Sequence, residues 1–260
     1  MGLRGAVLGE LGELDEGIGS LSAAVAGMVE TLGESAPTTI DLETNLAHLF
    51  LRSGDTEAAI ELYAGARERA IEVFGLDGRV PVGLTVRLSE GFAASGDGKL
   101  ALAVVTEYLE LAGEDLPERS TNGLALLDRL ALLYEASGRR EEALDVRTRA
   151  YEAFTGHYPP DHPDLLRAAF NLAVRTLSAG RAEQALSLIQ GVREQQPHPL
   201  MGLEWHAQSS IQLARTLTAL GRTEAAIGVL EESLELSSTL EGMDVSWMSR
   251  LEQELDKLVE

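Results

Sequence analysis

The sequence predicts an all-α protein, a solenoid of about six antiparallel helix pairs with a C-terminal capping helix. Three observations carry this expectation. Glycines recur at a fixed interval along the 260-residue chain, small and aliphatic residues repeat at constant offsets around each of them, and the prolines fall between the pairs. Units with a period of roughly 20 to 50 residues cannot bury an apolar face alone and do so by stacking on their neighbours.

The repeated glycines are Gly12, Gly54, Gly96, Gly138, Gly180 and Gly221, spaced by 42, 42, 42, 42 and 41 residues. Five residues after each stand Gly17, Ala59, Ala101, Ala143, Ala185 and Ala226, each followed by Ile or Leu. Seven residues before stand Gly5, Ala47, Ser89, Ala131, Ala173 and Ala214, and in the last five units a leucine precedes the small residue. Each unit therefore reads as two helices joined by a turn in which glycine takes the left-handed conformation. The small residues mark where the helix axes approach most closely, and the adjacent leucines and isoleucines fill the space beside them.

The predicted pairs are 3–11 with 14–32, 39–53 with 56–74, 82–95 with 98–113, 121–137 with 140–156, 162–179 with 182–195 and 200–220 with 223–239. Pro37, Pro81, Pro117, Pro159, Pro160, Pro163, Pro197 and Pro199 fall between the second helix of one unit and the first of the next, where proline is tolerated. Asp161 is the expected N-cap of the fifth pair. A last helix, within 243–260, carries Val245, Met248, Leu251, Leu255 and Leu258 on one stripe. It is expected to cap a repeat region spanning 1–242, with a dimerising coiled-coil helix as the other reading. Arg4 stands where later units have leucine, which raises the expectation that the stack opens inside a repeat.

Composition narrows the function. A formal charge of -21 argues against nucleic acid and anionic membranes as partners, because a polyphosphate meets repulsion and gains nothing from counterion release. The absence of cysteine excludes disulfides and thiolate zinc sites. No run of residues approaches a membrane span and the N-terminus lacks a secretory pattern, so a cytoplasmic chain is expected. Only Lys99 and Lys257 are lysines among 21 basic residues, a bias consistent with a GC-rich bacterial source.

The series of leucine, small residue, glycine, alanine and aliphatic resembles the tetratricopeptide repeat, whose usual unit is about 34 residues. The longer period here is similar to the long repeats of kinesin light chain and of many bacterial regulatory proteins, as are Pro160, Asp161, His162, Pro163 and Asp164 followed by Asn171, Leu172 and Ala173. Tyr108, Val192 and Ser233 depart from the family, which prefers a small residue there, and Arg147 lies on a usually apolar row. The resemblance implies a right-handed α-solenoid whose first helices line a concave surface.

On that surface the resemblance places Asn45, Arg87, Arg129, Asn171 and Gln212 in one row, with His48, Arg52, Arg167, Gln208 and Arg215 beside it. In the functional reading these ten residues bind an extended peptide or protein. Asparagine and glutamine both donate and accept hydrogen bonds, and arginine grips carboxylates with a planar fork, which suits acidic groups on the partner. In the other reading the arginines pair with glutamates on adjacent helices and the asparagines bond backbone between repeats.

No catalytic constellation, metal site or cofactor motif emerges. His157, Asp161, His162 and Asp164 cluster in sequence but fall in an inter-repeat loop where capping explains the aspartates. Gly91 and Gly123, inside predicted helices, are expected to permit close packing. The expectation is a non-enzymatic peptide-binding scaffold, the interaction module of a bacterial regulatory or signalling protein. A sensor whose curvature responds to a small signal is the alternative.

Overall fold

The computed structural model describes residues 5, 7–9, 11–195, 201–239 and 245–259. Within them the chain is helical throughout its regular structure. The helices are α1 (Leu14–Leu32), α2 (Pro37–Ser53), α3 (Thr56–Phe74), α4 (Arg79–Ala94), α5 (Gly98–Ala112), α6 (Leu116–Arg119), α7 (Thr121–Ala136), α8 (Arg140–His157), α9 (Pro163–Ser178), α10 (Ala182–Glu194), α11 (Gly202–Ala219), α12 (Thr223–Thr239) and α13 (Val245–Val259). The chain forms two compact units, Met1–Val146 and Arg147–Glu260. Arg4, Pro197, His198 and Pro199 lie outside the described residues, as does part of the predicted helix 3–11.

The hairpin turns follow the glycine period. All six repeated glycines have positive φ, from 72° at Gly221 to 91° at Gly54. At Gly54 the left-handed residue ends α2 and its N–H donates to the Leu51 carbonyl at 3.2 Å, satisfying an acceptor that the helix terminus leaves open. The next residue then starts the partner helix. Asp55 accepts from the Ala58 N–H at 3.1 Å, and Asp97, after Gly96, accepts from Leu100 at 3.0 Å.

Two local expectations need correction. The prolines do not simply fall between helices: Pro37 and Pro163 are the first residues of α2 and α9, Pro81 is the third residue of α4, and Pro117 is the second of the short turn α6. The first four N–H groups of a helix have no intrahelical acceptor, so proline costs nothing there. The N-cap of α9 is His162, not Asp161, and its Nδ1 accepts from the Asp164 N–H at 3.2 Å. Pro163 at the first helical position moves the cap to the residue just before it.

The small residues occupy the contact lines as expected. Ala47, Ala59, Ser89, Ala101, Ala131, Ala173, Ala185 and Ala226 are each 0% exposed. A Cβ on Gly91 would come within 2.9 Å of Ile60, and one on Gly123 within 2.7 to 2.8 Å of the Leu116 and Pro117 backbone, so both glycines are required by close approach. In the first unit, apolar clusters centre on Leu21, Leu46 and Leu49, on Ile40, Tyr63 and Leu84, and on Val105, Leu116 and Leu126. In the second, one cluster runs from Leu166 and Ile189 through Trp205 and Leu230 to Leu251 of α13. Burying each such leucine stabilises the fold by about 1.5–3 kcal/mol. Tyr108, Val192 and Ser233, the departures from the small-residue pattern, are all buried. Tyr108 resolves its polar end by donating to the Leu76 carbonyl at 2.6 Å, and burial pushes its hydroxyl up to about 12.

Candidate functional site

In the second unit the first helices of successive pairs lie side by side, with α13 continuing the series. The side chains that face outward from this row step by three or four residues, which keeps them on one helical face. Phe170 and Val174 come from α9, Gln208, Ile211, Gln212 and Arg215 from α11, and Trp247, Arg250, Gln253 and Glu254 from α13. Together they enclose a pocket of about 650 Å³. That volume falls in the range of roughly 300–1,000 Å³ typical of ligand sites.

The pocket has an apolar floor and a polar rim. Phe170 packs against buried Trp205 with ring centroids 4.9 Å apart, which fixes its orientation. Arg250 lies over the Trp247 ring, 4.4 Å from its centroid. Arg215 grips Glu254 through both fork nitrogens, Nη2 donating at 2.6 Å and Nε at 3.1 Å. This pair, with Lys257 also donating to Glu254 at 2.8 Å, holds the carboxyl far below its ordinary range, at about 2. The Arg215 guanidinium is raised by the same hydrogen bond. Gln208 and Gln212 supply donors and acceptors between the charged rim and the aromatic floor.

The other residues of the sequence-derived row lie elsewhere. Asn171 is exposed on α9, and Arg167 is paired with Asp164 at the start of that helix. In the first unit Asn45 and Arg52 are exposed on α2 and His48 is half-buried. Arg129 of α7 donates from Nε to the Ser89 hydroxyl at 2.8 Å and from Nη2 to the Ser89 carbonyl at 2.9 Å. Its fork therefore ties one repeat to the preceding one through the buried small residue of α4. Burial lowers the Arg129 guanidinium, and Glu90 works against that shift. Arg87 and Glu90 both act on the Tyr63 hydroxyl, which burial raises, Arg87 lowering it and Glu90 raising it further.

Sequence reasoning missed the share of α13. Trp247, Arg250 and Glu254 follow each other at three and four residues, one strip round from the apolar stripe, and that second periodicity was the available signal. It also missed a buried polar cluster. Arg193 of α10 contacts the His206 ring nitrogens at 3.0 and 3.2 Å and donates to the Ser210 hydroxyl at 2.8 Å, with Glu232 at 4.0 Å. Burial first, then the Arg193 charge, pushes the imidazole down to about 4, while Glu232 opposes.

In the 157–164 loop, His162 stacks on Tyr158 at 3.9 Å between centroids and caps α9. Among the described residues no group of three or more His, Asp or Glu side chains is arranged to hold a metal ion, and no helix is long and apolar enough to cross a membrane.

Stacked helix pairs of this period, with small residues on the contact lines, define a repeat protein of the tetratricopeptide class. Residues 122–195 match one tetratricopeptide-repeat profile, and residues 42–70 and 209–244 match another. The chain belongs to the tetratricopeptide-repeat family. Among solved structures it is similar to BtubC (BKLC) from P. vanneervenii, with a TM-score of 0.69 and 20% identity over 89% of this chain and 93% of that one. It is also similar to a kinesin-light-chain-type protein of Podosopora anserina with nearly identical TPR-like repeats, with a TM-score of 0.63 and 20% identity over 80% and 99%. YrrB, described as a TPR protein with an unusual peptide-binding site, aligns with a TM-score of 0.52 and 18% identity over 88% and 98%. No curated protein sequence matches the chain significantly.

Proposed function

We propose that the chain is a non-catalytic interaction module that holds a peptide segment of a partner protein on the first-helix face, with the α9–α11–α13 pocket as its principal anchor point. One observation carries this reading: Gln208, Gln212 and Arg215, nominated from sequence alone, converge there with Phe170, Ile211 and Trp247. An apolar side chain of the ligand fits the aromatic floor, its backbone meets the glutamines, and an acidic group on it meets Arg250. Asn45, His48, Arg52, Arg87, Arg129, Arg167 and Asn171 are proposed as further contacts on the first-helix faces of their own units. The peptide-binding site described for YrrB, on a similar fold, supports the assignment. Residues 243–260 serve in this reading as a terminal cap that also builds one wall of the site. The near absence of lysine and the regulatory proteins with long repeats that the chain resembles favour a bacterial, cytoplasmic regulatory or signalling assembly.

A random peptide library selected on the immobilised protein tests the proposal. The enriched peptide is expected to lose about 30-fold in affinity on Trp247→Ala, the scale of an interface anchor residue, and less on Gln208→Ala. Unchanged affinity in both variants would overturn the assignment.

A further inference from the structure

A second pocket, of about 430 Å³, opens in the same unit where the end of α8, the start of α9 and the end of α10 converge. It shares no residue with the pocket already described. Its walls are Tyr151 and Tyr158 on one side and Leu165, Leu166, Leu188 and Val192 on the other, with Thr155, Ser187 and Gln195 adding hydrogen-bonding groups at the edge. Such a largely apolar cleft with a few polar groups has the composition of a ligand site.

The helix on its far wall is built to keep it open. Gly191 stands inside α10, where glycine is destabilising relative to alanine, and a Cβ there would meet nothing within 4 Å. Packing therefore does not call for glycine at this position, and the missing side chain widens the cleft. Tyr158 is held in place at the other wall by stacking on Phe154 at 5.7 Å and on His162 at 3.9 Å between centroids. Both walls are thus set before any ligand arrives, which limits the ordering cost of binding.

The charge at the mouth selects the ligand. Of the described lining residues only Glu194 has an acidic side chain, and it is exposed. Among the described residues no basic side chain lines the cleft, and the whole chain carries -21, so the local field favours a cation. We infer that this cleft is a second protein-docking site, taking a bulky apolar side chain of a partner that stands next to a basic residue paired with Glu194.

Methyl NMR on the full chain tests this with two probes, N-acetyl-phenylalanyl-lysine amide and N-acetyl-phenylalanyl-glutamate amide. The lysine dipeptide is expected to shift the Leu165, Leu166, Leu188 and Val192 methyls saturably and to bind roughly threefold more tightly than the glutamate one, the scale of an exposed ion pair. Glu194→Gln should erase that difference. Gly191→Leu and Ser187→Trp should each fill the cleft and abolish the shifts without lowering the thermal unfolding midpoint of the protein. The proposal is overturned if neither dipeptide gives a saturable shift, if the shifts survive in both filled variants, or if the preference for lysine persists in Glu194→Gln. Because Trp247→Ala leaves this cleft intact, retention of the shifts in that variant separates the two sites.

Discussion

His206 and Arg193 place an imidazole and a guanidinium in contact inside the second unit, which is tolerable only while the imidazole is neutral. The folded-state value of His206, about 4, lies below its ordinary 6.5, so the unfolded chain binds the proton more readily across that interval. The associated stability is present in full above about pH 6.5 and is lost as pH falls toward 4, amounting to up to about 3 kcal/mol. Urea midpoints measured from pH 7.5 to pH 4 should fall over this window, and the fall should be much smaller in His206→Gln. Glu254 has the same sign at lower pH, its contribution being lost as pH falls from about 4.5 toward 2. Arg129 offers a second residue-level test. Removing it leaves the buried Ser89 hydroxyl without its charged donor, so Arg129→Ala should cost about 1.5–3 kcal/mol in chemical denaturation. Arg129→Lys should not restore it, since an ammonium cannot make the two parallel contacts. The sequence placed Arg129 on the correct helix but did not disclose its partner, because Ser89 is 40 residues away and the contact depends on the stacking of repeats. The Arg193–His206 cluster was hidden for the same reason.

At the scale of the element, most of the architecture was legible. The turns at Gly54 through Gly221 could be read because a left-handed backbone leaves a one-residue signature in sequence. Ends that rest on no special residue were less visible. The short turn α6 and the start of α4 at Arg79, two residues before Pro81, follow from how a helix entry accommodates proline and not from apolar periodicity. The second helices α1, α3 and α5 also end on glycines of positive φ, Gly33, Gly75 and Gly113, whose spacing of 42 then 38 residues breaks the regular period. Two glycines of opposite role provide a paired measurement. Gly180→Ala forces an L-residue to φ 77° and should destabilise by about 1–2 kcal/mol. Gly228→Ala, in the exposed interior of α12 with nothing within 4 Å of its Cβ position, should stabilise by about 0.5–1 kcal/mol. Helix α13 depends on Leu251, fully buried against the second-unit core. Leu251→Ala should cost about 2–5 kcal/mol and release hydrogen-exchange protection in α13 before the rest of the unit. The same variant should loosen the α9–α11–α13 pocket, since α13 supplies four of its lining residues.

Across the whole molecule, the excess of 42 acidic over 21 basic residues sets a self-repulsion that no single contact reveals. Raising ionic strength from about 10 to 150 mM shortens the screening length from roughly 30 to 8 Å, so the thermal midpoint should rise with salt. A flat or falling midpoint would show that local ion pairs, such as Arg222 with Glu183 at 2.9 Å, outweigh the global field. The fold class was readable at this scale because repetition multiplies a weak local signal several times over. The candidate sites were readable only in part. Gln208, Gln212 and Arg215 on α11 announced one wall of the first pocket, whereas the cleft beside Gly191 is a gap between helices and has no residue that names it.

The apices of the hairpins have a practical use. At Gly54, Gly96, Gly138, Gly180 and Gly221 the space beyond the backbone is open, with no neighbouring atom within 4 Å of where a side chain would begin. A foreign epitope or fluorophore spliced at the Gly54 apex would hang in solvent, far in sequence from the residues of both pockets, and each doubling of its length would add only about 0.6 kcal/mol of closure entropy. The chain therefore comes with ready insertion ports, through which reporters can be mounted to follow a docked partner without trimming the surface it touches.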